Sequence, residues 1–335
     1  MAAMDTVWTL SRCQPLWLIM AGSVLALPAQ PGFAASRSVY AVDLEDGAGV
    51  PGSIIRLSPP GDFFQPMVNR DGSSVVFWGK HKNEAGFNIW RTDLDTKVPV
   101  NLTRTNAVSG HPFWSADGET IVFFSTRGLS SETGWSMKTH FDTNRSPRNI
   151  WAMQRDGSRL RQLTRGDFAD DRPCISPDGK HVVFVSNRGG GPFLSLWSVA
   201  MDTLELRRVT DGSQLAYRPI FSPSGDRLAF FTGTKRLNSH RLAFMNWEDR
   251  EISHPLPADA FKWVHGPFWL GDGRSILLHG IGKAERKAAL WRVDLQSHRI
   301  TKVTVPGFKV YAHGTVDTAR SLLVFDSRDP WRSRR

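Results

Sequence analysis

His111-Pro-Phe-Trp-Ser-Ala-Asp-Gly-Glu-Thr-Ile-Val-Phe-Phe-Ser125 starts a unit that resumes after an insertion at Asn149-Ile-Trp151 and closes with Arg161-Gln-Leu-Thr164. The pattern reads as four short strands. Phe113 to Ser115 is the first, and Asp117-Gly118 is a hairpin turn, because glycine accepts the positive φ that such turns need. Thr120 to Ser125 is rich in β-branched and aromatic residues, which suit a pleated surface. Asn149 to Met153 and Leu160 to Thr164 follow as the third and fourth strands, turned at Asp156-Gly157.

The unit recurs. Its opening proline stands at Pro66, Pro112, Pro173, Pro219 and Pro267, with Gly314 in that place in a sixth copy. The turn returns as Asp71-Gly72, Asp178-Gly179, Ser224-Gly225 and Asp272-Gly273, and the third-strand aromatic as Trp90, Trp151, Trp197, Phe244 and Trp291. Fourth strands end Asn101-Leu-Thr103, Gln162-Leu-Thr164, Arg208-Val-Thr210 and Lys302-Val-Thr304. Proline and aromatic lie 24 residues apart in three copies, 25 in one and 39 in the copy with the insertion. A period of about 46 residues with four strands per unit means the blades of a propeller. The sixth copy has only its first half, His313 to Phe325. Ser38 to Asp43, with Tyr40 in the aromatic slot, and Ser53 to Leu57 supply the other half from the N-terminal end. The expected fold is therefore all-β: a six-bladed β-propeller of four-stranded antiparallel blades over residues 36–327. N-terminal strands complete the last blade, so the ring has no exposed sheet edges.

The Pro-x-x-Ser-x-Asp-Gly pattern, the Ile-Trp pair and the Leu-Thr endings resemble the repeats of TolB-like β-propellers over roughly residues 38–326. That resemblance implies a WD40-like ring serving as a platform for protein contacts in a bacterial envelope. The mature chain is expected to start directly in a blade, so the propeller is read as stand-alone, a departure from TolB, in which an α/β domain precedes the propeller.

The chain has 335 residues, is 40% hydrophobic and carries a formal net charge of +10, which favours an anionic partner without naming it. Residues 1–35 read as a secretory signal peptide. Arg12 precedes an apolar run from Leu16 to Leu27, then come Pro28, Pro31 and small residues at Gly32, Ala34 and Ala35. The run is too short to span a bilayer. A periplasmic or secreted monomer follows, with no stable transmembrane span after cleavage. This argues against nucleic acid as the partner. After cleavage Cys174 is the one cysteine left, so no internal disulfide forms. Residues 328–335 form a basic tail ending Trp331-Arg-Ser-Arg-Arg335. Glu45 to Gly52 reads as a loop.

In up-and-down blades the loops alternate ends. Loops after the second strand share one end with the links into the next blade. That end gathers Lys80, Lys82, Arg127, Arg148, Arg188, Lys283 and other cations, whereas Asp93, Asp202 and Asp294 collect on the opposite end. It also carries the insertion, residues 128–148, in which Trp135, Lys138, His140 and Arg145 are candidate contact residues. The recurring third-strand aromatics are assigned to packing between adjacent sheets.

If the innermost strand starts at the opening proline, the residues just before it crowd the mouth of the central channel. These are Gln65, His111, Arg172, Arg218 and His313, with His265 one step earlier in its blade. Three readings of this mouth stand side by side. Arg172 and Arg218 clamp a carboxylate or phosphate with paired N–H donors. Alternatively, His111, His265, His313 and Gln65 hold a divalent transition metal such as manganese or zinc. In the third, the polar residues line a water-filled channel. The chain has no Gly-x-Ser-x-Gly elbow, no His-Glu-x-x-His and no phosphate loop, so no catalytic residue is assigned and no cofactor is required. The reading preferred on sequence is a binding platform for a protein or anionic envelope ligand. The enzymatic alternative rests on a further resemblance, to oligogalacturonate lyases. It implies a metal-dependent lyase acting on acidic oligosaccharides, with the metal acidifying a sugar α-proton.

Overall fold

Each repeat folds as an antiparallel sheet whose second strand is buried along nearly its whole length, and six such sheets close on one another. The computed structural model describes residues 37–45, 48–50, 52–81, 83–129, 146–234, 240–305, 314–317 and 321–328. The signal segment, the insertion residues Trp135, Lys138, His140 and Arg145, His313 and the tail beyond 328 lie outside the described residues. Blade 1 runs β4-β5-β6-β7, from Gly61–Val68 through Ser74–His81 and Asn88–Asp93 to Pro99–Asn101. Blades 2 to 5 repeat this order from the inner strands β8 (Ser109–Trp114), β12 (Asp171–Ile175), β16 (Leu215–Phe221) and β20 (Phe261–Trp269).

Blade 6 closes the ring as the half-repeats require. Its inner strands are β24 (Gly314–Asp317) and β25 (Leu322–Arg328). Next comes β1 (Arg37–Glu45), which pairs Tyr40 with Phe325 and, on its other side, with Arg56 of β3 (Ile55–Arg56). The Glu45 to Gly52 stretch departs from the expected loop. Ala48–Gly49 forms a strand, β2, that folds back on Leu44 and Glu45, and the Gly49 N–H bonds Thr304 of blade 5.

The repeated residues have local physical reasons. Ser115 Oγ donates to Asp117 at 2.5 Å and accepts the Thr120 N–H at 2.9 Å, which fastens the turn from both sides. Ser176 and Asp178 repeat the arrangement. The closing threonines work where fourth-strand pairing stops: Thr103, Thr164 and Thr210 accept the third-strand N–H groups of Ile89, Ile150 and Leu196 at 3.0, 2.9 and 2.9 Å. Ser58 does this for Val39 in blade 6. Trp114 and Trp269 donate their indole N–H to Met67 and Ile220 carbonyls of the preceding blade, tying inner strands together. Among the third-strand aromatics, Phe244 stacks on Trp269 of the next blade as expected. Trp151 and Trp197 pack against the core and also lie under Arg127 and Arg208, and Trp291 lies under Lys302.

Inner strands do not begin at the proline. They start two to six residues earlier in the five complete blades, and each ladder slips where the proline sits. Proline has no N–H to give the ladder, so a bulge is the pairing that tolerates it. The residue before each proline adopts the left-handed conformation: Gln65, His111, Arg172, Arg218 and Gly266 have φ of 49°, 50°, 49°, 56° and 68°. Only one of the five is glycine, for which that conformation costs little.

Candidate functional site

The bulge decides where the side chains before the prolines go. It turns Gln65, His111, Arg172 and Arg218 to one axial cavity of about 120 Å³, walled below by the five prolines. Four of the six residues expected at the mouth are therefore brought together. Gly266 takes the corresponding place in blade 5, the backbone of His265 pairs with His279, and His313 lies outside the described residues. Holding a non-glycine residue in this conformation costs about 1–3 kcal/mol each, and such strain recurs where a site needs it.

A buried carboxylate organises one side. Asp171 is fully buried. Its Oδ1 accepts the Arg172 N–H at 2.7 Å and contacts His111 Nδ1 at 2.5 Å; its Oδ2 accepts Arg148 Nη2 at 3.1 Å and Arg172 Nη1 at 3.3 Å. Burial by itself raises this carboxyl, but His111, Arg148 and Arg172 more than reverse it and hold it well below the usual carboxylate range. Burial pushes His111 down to about 4 despite Asp171, so at neutral pH a neutral imidazole donates Nδ1–H to the carboxylate. Edges of the Trp78 and Phe124 rings hold the imidazole in place.

Arg148 and Arg188 correct the expected basic face. Arg148 is 0% exposed, lies over Phe124 and serves Asp171; Arg188 is 9% exposed and grips Asp170 at 2.7 and 3.0 Å. Both are internal struts rather than surface charge. Lys82 lies outside the described residues.

The other side of the mouth was not legible as a site. Trp78, Phe124, Val185, Phe230, His279 and Asp326 occupy one equivalent second-strand position, each one step past the partner of the third-strand aromatic. Four are apolar. The signal is the break in that pattern at Leu278-His279 and Phe325-Asp326. Asp326 is fully buried, paired with Arg37 at 3.3 Å, and within electrostatic reach of Arg218. Burial pushes its carboxyl up to about 7, against Arg37 and the Gln65 N–H. Burial, with Arg218 and Arg37 nearby, takes His279 down to about 4.

The charge balance follows. Among the described residues of the mouth, the guanidiniums of Arg37, Arg148, Arg172 and Arg218 face the carboxylates of Asp171 and Asp326. Burial and then Arg172 lower Arg218 to about 9, so it stays protonated at neutral pH. A buried excess of positive charge suits an anion. Of the four ligands expected for a metal, Gln65 Oε1 accepts the Trp78 indole N–H at 2.8 Å and His111 meets Asp171 through Nδ1, while His313 and the His265 side chain lie outside the described residues. No group of three or more His, Cys, Asp or Glu side chains among the described residues could hold a cation.

Two expected outcomes test this geometry. Arg218→Gly keeps stability equal to the parent's or raises it by up to about 1 kcal/mol, roughly 2 °C in Tm, because glycine relieves the left-handed strain and the repulsion from Arg172. A loss of several degrees in a thermal melt contradicts it. The second concerns pH. Asp326 ionises near 7 folded and near 3.8 unfolded, so between those values the folded chain holds the proton and the parent loses stability as pH rises. Asn cannot titrate. Asp326→Asn therefore gains stability relative to the parent from about pH 4 to 7, with a slope approaching about 1.4 kcal/mol per pH unit, read from urea melts across that range.

Comparisons with known proteins agree on the architecture. No protein-family model matches the chain. A TolB homolog of Chlorobium luteolum is 28% identical over 147 residues, 36% of this chain and 33% of that protein. The chain spans about a third of the length of the curated relatives it matches. Among solved structures, one from Agrobacterium tumefaciens assigned to TolB superposes with a TM-score of 0.67 at 14% identity, covering 88% of this chain and 99% of that one. An oligogalacturonate lyase in complex with manganese superposes with a TM-score of 0.53 at 16% identity, covering 84% and 77%. At these identities the likeness is one of fold.

Proposed function

Starting from a TolB-like six-bladed β-propeller, we propose that this chain is a binding platform of the bacterial envelope whose axial mouth takes an anionic group of a ligand or protein partner. The observation that carries the reading is the buried excess of guanidinium at the cavity, with Arg172 and Arg218 lining it. Support for the compartment comes from the apolar run between Arg12 and Pro28. Among the described residues no helix is long and apolar enough to cross a membrane. The reading assigns no catalytic residue. The lyase alternative has a likeness of fold behind it, while the described mouth residues favour an anion over a metal.

The test is stabilisation by a simple anion. Acetate at tens of millimolar raises the melting temperature of the mature protein, because binding to the folded state alone stabilises it by mass action. The Arg172→Gln/Arg218→Gln double variant loses that response. Equal responses from parent and variant would sink the reading.

A further inference from the structure

Beyond its charge, the mouth is layered, and the layering selects among anions. Arg172, Arg218, His111 and Gln65 form its polar upper ring. Directly beneath lie the five prolines, which have no N–H to donate. Below them Met67, Phe113, Ile220 and Phe268 form an apolar floor; the same four side chains also bound a second cavity of about 160 Å³ that opens toward the Asp-Gly turns. That second cavity is walled by Trp114, Phe221 and Trp269 together with Asn69, Arg70, Ser115 and Ser222.

A sulfate or phosphate carries oxygen on every side. Seated between the guanidiniums, it would press at least one oxygen onto the proline collar, which has no N–H to offer; Thr315, whose hydroxyl accepts the Val68 N–H at 3.3 Å, is the one hydroxyl in the lining, too few donors to satisfy it. A carboxylate has both oxygens at one end and carbon at the other. Its oxygens can meet Arg172 and Arg218 while the attached carbon faces the prolines and the floor. Size points the same way. A dry cavity of about 150 Å³ holds a benzene, so about 120 Å³ encloses roughly four to six heavy atoms, room for the five carbons of a branched acid whose carboxylate oxygens sit at the arginine ring. A whole uronate ring is larger than that.

We infer that the mouth binds a small monocarboxylate bearing a short apolar tail, with the carboxylate on Arg172 and Arg218 and the tail on the Met67–Phe113–Ile220–Phe268 floor. This rests on the anion reading above and narrows its ligand class. Two sources share the chemistry: a free branched-chain acid, and a polypeptide C-terminus ending in an apolar residue.

Calorimetric titration of the mature protein with acetate, isovalerate and sulfate tests it. Isovalerate adds three carbons to acetate. At about 0.8 kcal/mol per buried CH₂ the full gain is roughly 50-fold, and a gain of tenfold or more is expected. Sulfate binds more weakly than isovalerate. Met67→Gln cuts the isovalerate-to-acetate ratio below threefold, and Met67→Leu, the control for folding, keeps it. Equal affinity for isovalerate and acetate, or tighter sulfate than isovalerate, overturns the tail inference and leaves the anion reading in place. Failure of all three to bind a folded protein overturns both. A short peptide ending in leucine, compared with its C-terminal amide, separates the sources. Binding by the free acid form alone supports a polypeptide terminus; isovalerate binding without either peptide supports a free acid.

Discussion

Asp171→Asn is expected to lower the unfolding free energy by about 3–5 kcal/mol. The carboxylate is fully buried and joins groups from three separate segments: His111 of β8, Arg148 and its own neighbour Arg172. Asparagine has nearly the same shape but no charge. It would leave Arg148, which is 0% exposed and has the Phe124 ring against its guanidinium, with no anionic partner for a charge that water cannot reach. A useful contrast is Glu119→Gln. The Glu119–Arg155 pair is 3.5 Å long with side chains 55% and 35% exposed, and its loss should cost under about 1 kcal/mol. Urea unfolding of the two variants beside the parent checks the pair of values. Similar small losses in both would mean that Asp171 is not the hub of the mouth. The pH dependence has a matching sign. A carboxyl held well below its unfolded value contributes stability above about pH 4, which is lost on further acidification toward its folded pKa.

Ala41→Pro should be at least as damaging, by more than about 3 kcal/mol. Ala41 is 0% exposed and central in blade 6, opposite Val324 of β25 on one side and Ile55 of β3 on the other. Proline there removes an N–H from a strand paired on both sides and puts a ring where the ladder must close. The loss is not confined to one strand, because β1 is what joins the two ends of the chain into a ring. Blade 6 then offers the unpaired edges of β25 and β3 to solvent and to other molecules. Limited proteolysis should cut the variant within 37–58 and 314–328 under conditions that spare the parent. A variant that melts with the parent's midpoint would show that the ring does not depend on its N-terminal strand.

Why these two positions differ in legibility is instructive. Ala41 could be placed from the chain alone. The half-repeat around it matches the third strand of every other copy, with Tyr40 in the aromatic slot, and Tyr40 pairs with Phe325 as Trp90 pairs with Phe77. Asp171 could be located but not interpreted. Its position one step before Arg172 is visible, but nothing local says that Arg148, 23 residues upstream at the end of the insertion, folds back to meet it. For the same reason Arg148 and Arg188 read as surface cations when both are buried against aspartates.

The sequence by itself determined the number of blades, their four-stranded order, the turn chemistry and the way the ring closes. All of these follow from patterns that repeat within about 46 residues, and strand, turn and period are local properties of the chain. It also named Gln65, His111, Arg172 and Arg218 as a set, because each precedes a proline at the same place in its repeat. Only the tertiary structure decided which way those side chains face and what meets them. The direction is set by a bulge that exists only once a second strand is paired against the proline. The partners Asp171, His279 and the Asp326–Arg37 pair come from blades 3, 5 and 6, and distance between blades is a property of the closed ring.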